Sequence, residues 1–315
     1  MNATQLGCLI LAWVTFGGHL PGLRASQIST SFGISHQVNV NAAGQNITGD
    51  AANEPSICID PTNPGHMAVG WRQFDTVTSS FRQTGWAYST NGGLAWTFPG
   101  SIEAGVFRSD PVLAAGANGW FYCLGISNAN NFFTDLFRST NGGVTWQPLG
   151  WALGGDKEWM TIDATGGPGQ GNLYELWSPF TNYANNSSKL FTRSTDGGQS
   201  WLDAIALPHM QYFGTLDIGP NGEVFTVGTG ADDGVSFWMS RSTNSPNRNV
   251  TPVFDLTTHV DLGGPILHRN RGADEQQADG DQKQTQPAQL SETPHGERIA
   301  DVVTNCLDRN LGWQR

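Results

Sequence analysis

Three short stretches of this sequence set ionisable groups close enough together to do chemistry. "WRQFD" holds Arg72 and Asp75, "RSD" holds Arg108 and Asp110, and "DKEW" runs through Asp156, Lys157, Glu158 and Trp159. A guanidinium is a rigid fork of donors that fits a carboxylate, a carboxyl can carry a proton, and an indole offers a flat face on which a sugar ring can lie. Each stretch also has a plainer reading. Arg72 and Asp75 fit equally well an exposed ion pair that steadies a long loop. Asp156–Trp159 fits equally well a solvated strand start with a packed tryptophan. The elements that carry these residues have to decide between the two.

Those elements are announced by a repeat. "STNGGLAW" at Ser89–Trp96 returns as "STNGGVTW" at Ser139–Trp146 and "STDGGQSW" at Ser194–Trp201, and a degraded "RSTNSP" places Ser242 one spacing further on. The serines lie 50, 55 and 48 residues apart, a period that means one small sheet per repeat. Within each copy the Ser and Asn/Asp oxygens can hydrogen-bond a tight turn, the glycine pair can take positive φ, and the closing tryptophan can bury against a neighbouring sheet. Each turn is expected to staple its own sheet. The same order of strands surrounds every copy, as in "EPSICID", "MAVGWRQF", "RQTGWAYS" and "AWTFPG" for the first. Four antiparallel strands per unit make a propeller blade. The expectation is therefore an all-β chain with about four recognisable blades.

Antiparallel strands alternate direction, so the staples share one face with the first-to-second turns. The blade starts and the second-to-third loops share the other. That second face collects Asn53–Glu54, Arg108–Asp110, Asp156–Trp159 and His209–Tyr212 from the blade starts, and Arg72, Asp75, Arg82, Asp135, Tyr183 and Asp232–Asp233 from the loops. A site is expected there, where blades converge on the central channel. Arg138, Arg193 and Arg241 precede the staple serines in register and are assigned to the repeat instead.

Ser-x-Asp/Asn-x-Gly-x-x-Trp resembles the Asp-box, or bacterial neuraminidase repeat. The stretch Asn53–Pro252 is similar to the secreted sialidase-like propellers of the exo-α-sialidase family, which are six-bladed. The resemblance makes Ser89, Asn91, Gly93 and Trp96, Ser139, Asn141, Gly143 and Trp146, and Ser194, Asp196, Gly198 and Trp201 the structural box residues. It implies that Arg72, with Arg108, grips a substrate carboxylate and that Asp75 is the acid/base; Asp110, Asp156, Lys157, Glu158 and Trp159, from their place at the channel mouth, are expected to line the substrate. The family's first clamp arginine is replaced by Asn53, and its late tyrosine nucleophile has no counterpart in this sequence. The implied activity is an exo-α-sialidase or related glycoside hydrolase removing terminal sugars. A non-catalytic glycan- or protein-binding propeller and an inactive truncated relative are the alternatives.

Composition agrees with a turn-dense β protein: 40 glycines, 16 prolines and 12 tryptophans with 14% charged residues. A formal charge of −11 with no Lys/Arg cluster argues against nucleic acid and anionic lipid as partners. Carbohydrate is the expected partner. Scattered histidines and the short "DGD" at Asp279–Asp281 carry no metal-ligand spacing, so neither metal nor cofactor is expected. Leu6–Phe16 is apolar, too short to span a bilayer, and followed by a cleavage-like "GLRA", so residues 1–25 read as a signal peptide and the chain as secreted. Residues 26–263 hold the blades. Residues 264–315 are polar and Gln-rich, either a tail of low order or a break in the reading frame, and an incomplete propeller would self-associate through its open edge.

Overall fold

The structure is a computed structural model that describes residues 27–30, 33–127, 132–179 and 188–263. The expected signal peptide and tail, and Tyr183, lie outside the described residues. A hairpin of β1 (Gln27–Thr30) and β2 (Gly33–His36) precedes four sheets of four antiparallel strands each. The first sheet comprises β3 (Ala51–Ile59), β4 (Met67–Phe74), β5 (Gln83–Ser89) and β6 (Thr97–Ile102), and the second β7 (Arg108–Ala115), β8 (Phe121–Ser127), β9 (Thr134–Ser139) and β10 (Gln147–Trp151). The third comprises β11 (Trp159–Ile162), β12 (Leu173–Leu176), β13 (Lys189–Ser194) and β14 (Ile205–Ala206), and the fourth β15 (Tyr212–Ile218), β16 (Val224–Thr229), β17 (Phe237–Ser242) and β18 (Leu256–His259). Each sheet runs in simple chain order, and β3 packs on β7, β7 on β11 and β11 on β15. Four such blades side by side form a β-propeller.

The seams between blades are the core. β8 is buried along its whole length because it is covered on both faces, and its alternation divides the burial. Phe121 and Cys123 face the first blade with Ala68 and Leu113, while Tyr122 and Leu124 face the third with Leu136, Met160 and Leu173. Removing each large side chain from water contributes roughly 2 to 3 kcal/mol. Cys58 and Cys123 are buried, unbridged members of the same seam.

The repeated turns share one geometry. Ser89, Ser139 and Ser194 Oγ donate to Asn91, Asn141 and Asp196 Oδ1 at 2.9, 2.9 and 2.8 Å, and accept from the Gly93, Gly143 and Gly198 N–H at 2.9 Å in all three. Both glycines of each pair have φ between +68° and +87°. In the degraded copy Ser242 still donates to Asn244 Oδ1 at 3.0 Å, and the Ser245 hydroxyl, 2.7 Å away, stands where a glycine N–H would be. The turns do more than staple their own sheets. Trp146 and Trp201 enter the seams with the preceding blades, Gly143 abuts Ala68 and Tyr88, and Trp86 Nε1 donates to the Gly143 carbonyl at 2.9 Å. The second and third turns thus lock their blades against the one before, while Trp96 of the first packs with Val38, Val69 and Trp71.

Candidate functional site at the axial mouth

The face opposite the turns is organised by one irregularity that recurs in every blade. In β3, Glu54 and Pro55 lie between the pairs Asn53↔Arg72 and Ser56↔Gly70, two residues against the single Trp71. Asp110 and Pro111 oppose Gly125 in the same way, and Phe213 and Gly214 oppose Gly228. In the third blade the Ser178 N–H bonds the Asp156 carbonyl and Trp159 pairs with Leu176, which leaves Lys157 and Glu158 against Trp177. Each is a β-bulge, a device that bends a strand and re-aims its side chains. The first bulge residue is left-handed every time: φ is +50° at Glu54, +50° at Asp110, +56° at Lys157 and +49° at Phe213. Such a conformation on a residue other than glycine holds about 1 kcal/mol of strain or more, which the surrounding sheet must sustain.

These four positions converge on one cavity of about 350 Å³, lined by Glu54, Asp110, Lys157, Glu158, Trp159 and Phe213 among others. Lys157 Nζ donates to Asp110 Oδ2 at 2.9 Å and to Glu54 Oε1 at 3.4 Å. Arg72, from β4, spreads its fork over three acceptors: Nε to Asn53 Oδ1 at 2.7 Å, Nη2 to Glu54 Oε1 at 2.9 Å and Nη1 to Asp110 Oδ1 at 3.5 Å. The Ser109 hydroxyl donates to Asp110 Oδ1, and Arg82 Nε donates to Ser109 Oγ at 2.9 Å. At the edge, Trp159 is 43% and Phe213 53% exposed.

The carboxyls at the mouth are driven apart in acidity. Burial, reinforced by the hydrogen bond and charge of Asp110, raises Glu54 above the usual range. Burial alone would raise Asp110 too, but hydrogen bonds from Ser109 and Lys157 outweigh it and hold that carboxyl below the usual range. Burial and the Asp110 charge raise Asp156. Behind the mouth, Glu158 is 2% exposed and neither of its oxygens has a partner among the described residues. Burial, then the Asp110 and Glu175 charges, push it well above the carboxylate range. Glu175 is likewise buried and raised, with one oxygen accepting the Thr134 hydroxyl at 2.8 Å. Pro55, Pro111 and Gly214 occupy the equivalent bulge position, so a carboxyl there breaks the repeat.

The structure therefore brings together Arg72, Asp110, Asp156, Lys157, Glu158 and Trp159 of the residues singled out in the sequence. Asp75 lies just past the end of β4, exposed, with no hydrogen bond or ion pair to this network among the described residues. Arg108 points away from the mouth. Its side chain is 7% exposed, lies over the Phe137 ring at 4.7 Å, and pairs with Glu103 and, at 2.6 Å, with Asp135. Two residues that line the cavity, Glu54 and Phe213, carry no motif of their own. Glu54 is among the blade starts that parity sets on this face, and aligning those starts also finds Phe213, because "NEP", "SDP", "DKE" and "YFG" share one column. Among the described residues no group of three or more His, Cys, Asp or Glu could hold a metal ion, and no helix is long and apolar enough to cross a membrane.

The fold and this mouth define a β-propeller with a charged, aromatic-edged axial cavity. No family model and no curated protein matches the sequence. Among solved structures, the chain is similar to Hadza microbial sialidase Hz136 at 13% identity and a TM-score of 0.47, covering 75% of this chain and 52% of that one. It is also similar to Zg3597, a family 117 glycoside hydrolase of the marine bacterium Zobellia galactanivorans, at 12% identity and a TM-score of 0.44, covering 76% of each chain. YCF48 bound to D1 peptide is similar at 14% identity and a TM-score of 0.40, covering 68% of this chain and 55% of that one. The chain spans about half the length of the sialidase. Propellers host unrelated functions, so the chemistry of the mouth rests on its own residues.

Proposed function

We propose that this chain is a secreted carbohydrate-handling propeller whose ligand sits at the axial mouth. The observation that carries this reading is the pairing of two exposed aromatic faces, Trp159 and Phe213, with a rim of carboxylates around one cavity. A pyranose has the complementary anatomy. Its C–H face stacks on an aromatic ring, and its hydroxyls donate to carboxylate oxygens. Binding of a terminal or internal sugar is the function this geometry supports best. Hydrolysis is a second reading, favoured by the split between Asp110, held ionised, and Glu54 and Glu158, pushed toward the protonated form. Carboxyls divided in this way are what glycosidic cleavage requires of its acid and base. In the exo-sialidase form of that reading, suggested by the sequence, Asp75 would need to travel from its exposed position to the cavity.

A titration of intrinsic tryptophan fluorescence with a panel of oligosaccharides tests the proposal. At least one sugar should bind, and Trp159→Ala should weaken it about tenfold or more. Silence across the panel, or binding untouched by Trp159→Ala, would overturn it.

A further inference from the structure

We infer that Glu158 is the specificity-determining residue of the mouth, its carboxyl pairing with one hydroxyl of the bound sugar inside the cavity. This rests on the carbohydrate reading and deepens it. The bulge has no need of a carboxyl at that position. Pro55, Pro111 and Gly214 hold it in the other three blades with no polar side-chain atom, and the strand bends there all the same. Glu158 puts a carboxyl in that column instead. The residue lines the cavity beside Trp159, is 2% exposed, and has neither oxygen hydrogen-bonded among the described residues. A buried carboxyl left in that condition destabilises a fold. Its neighbours do not relieve it. Glu175, whose charge bears on Glu158, accepts the Thr134 hydroxyl at 2.8 Å with one oxygen and leaves the other unpartnered. The indole N–H of Trp177, opposite the bulge, is buried and unpartnered as well. A polar group that the architecture does not require, on the wall of the aromatic-edged cavity, is placed for a ligand.

The carboxyl has the chemistry to meet a hydroxyl. Burial, then the charges of Asp110, Glu175 and Asp156, push it well above the carboxylate range, so that it presents an O–H donor beside a carbonyl acceptor. A sugar hydroxyl is likewise donor and acceptor, and satisfies both sides. A C–H in its place satisfies neither. A site that hydrogen-bonds a hydroxyl rejects the analogue lacking it more strongly than an apolar pocket does, because the protein's own polar atoms then stay buried and unpaired. Selection by Glu158 thus takes the form of a preference for the sugar over one of its deoxy forms.

The purified full chain is titrated with cello-, manno-, xylo- and N-acetylchitotetraose, tetragalacturonate and 3′-sialyllactose, and then with the monodeoxy forms of the sugar bound most tightly. Glu158→Met keeps the length of the side chain and removes its polar atoms. Its melting temperature should match or exceed the parent's, while its affinity for that sugar falls about tenfold or more. One monodeoxy form should bind the parent about tenfold more weakly, yet lose less than about twofold further in Glu158→Met, because the same contact is already gone. Glu158→Gln, whose amide keeps a donor and an acceptor, should recover both the affinity and the sensitivity to that one hydroxyl. Unchanged affinity in Glu158→Met, or losses that simply add for every monodeoxy form, would overturn the inference and leave the carbohydrate reading standing. A melting temperature of Glu158→Met well below the parent's would also overturn it, since the fold itself would then use the carboxyl. Failure of the whole panel would overturn the carbohydrate reading, and the inference with it.

Discussion

The two faces of this propeller use repetition in opposite ways. On the turn face, three copies keep side chains and geometry alike: Ser to Asn/Asp and Gly N–H to Ser in all three, with the tryptophans of the second and third packed into a seam between blades. At the axial mouth four copies keep only the backbone. The bulge and its left-handed residue recur in every blade, yet the residue is Glu, Asp, Lys and then Phe. Where sequence is repeated with structure, the role is architectural. Where structure is repeated and sequence diverges, one backbone presents four different groups to a single point, which is how a ring of similar modules makes an asymmetric site. Mutations should separate the two faces accordingly, with stability lost at the turns and binding lost at the mouth.

The largest loss of stability is expected at Gly198. Its φ is +87°, and an added Cβ would run into Leu136, which is fully buried and has no room to yield. Gly198→Ala should cost about 3 kcal/mol, read by chemical denaturation. Ser139→Ala removes one donor and one acceptor from a turn and should cost about 1 to 2 kcal/mol by the same measurement.

Glu158 comes next, and its effect depends on pH. The folded chain retains a proton that the unfolded chain releases near the ordinary value of 4.5. The folded state therefore binds more protons, and its stability declines as pH rises from that value toward the raised one. Glu158→Gln abolishes this decline. The unfolding free energy of the variant relative to the parent, read by chemical denaturation, should rise as pH is raised from about 4.5, by an amount on the order of 1 kcal/mol. A pH-independent difference would mean that Glu158 is ionised in the fold. Asp110 has the opposite sign, since its lowered value contributes stability above 3.8 that is lost as pH falls through the folded value. The smallest stability change, within about 1 kcal/mol, is expected for Trp159→Ala, whose side chain is 43% exposed, even though that variant should lose binding.

Most of the architecture was legible in the sequence because turns are local chemistry. Ser, Asn and paired glycines at fixed offsets specify a conformation with no help from the rest of the chain, and counting strands between them sorts the loops onto two faces. That parity sets Arg72, Asp110, Asp156, Lys157, Glu158 and Trp159 on the face opposite the turns, and the structure holds them there together. The bulge was not legible. It inserts one residue and reverses the alternation along the strand, and nothing in "NEP" or "YFG" announces positive φ at a glutamate or a phenylalanine. Glu54 is therefore placed on the face by parity without a role at the cavity, and Phe213, one residue beyond His209–Tyr212, is missed. Parity sets Asp75 and Arg108 on the same face, and the family resemblance gives them their roles, but neither reaches the cavity. Distance along a chain does not fix direction in space: Asp75 lies beyond the strand end, and Arg108 precedes the bulge that turns its neighbour Asp110 inward.

The central claim is that ligand binding belongs to the mouth and not to the turns. Hydroxyl-radical footprinting, with and without a saturating oligosaccharide, reads both faces at once. Trp159 and Phe213 should be protected, and Leu94, exposed on a turn, should oxidise unchanged. Protection of Leu94 with Trp159 and Phe213 still reactive would place the ligand on the opposite face and contradict that claim.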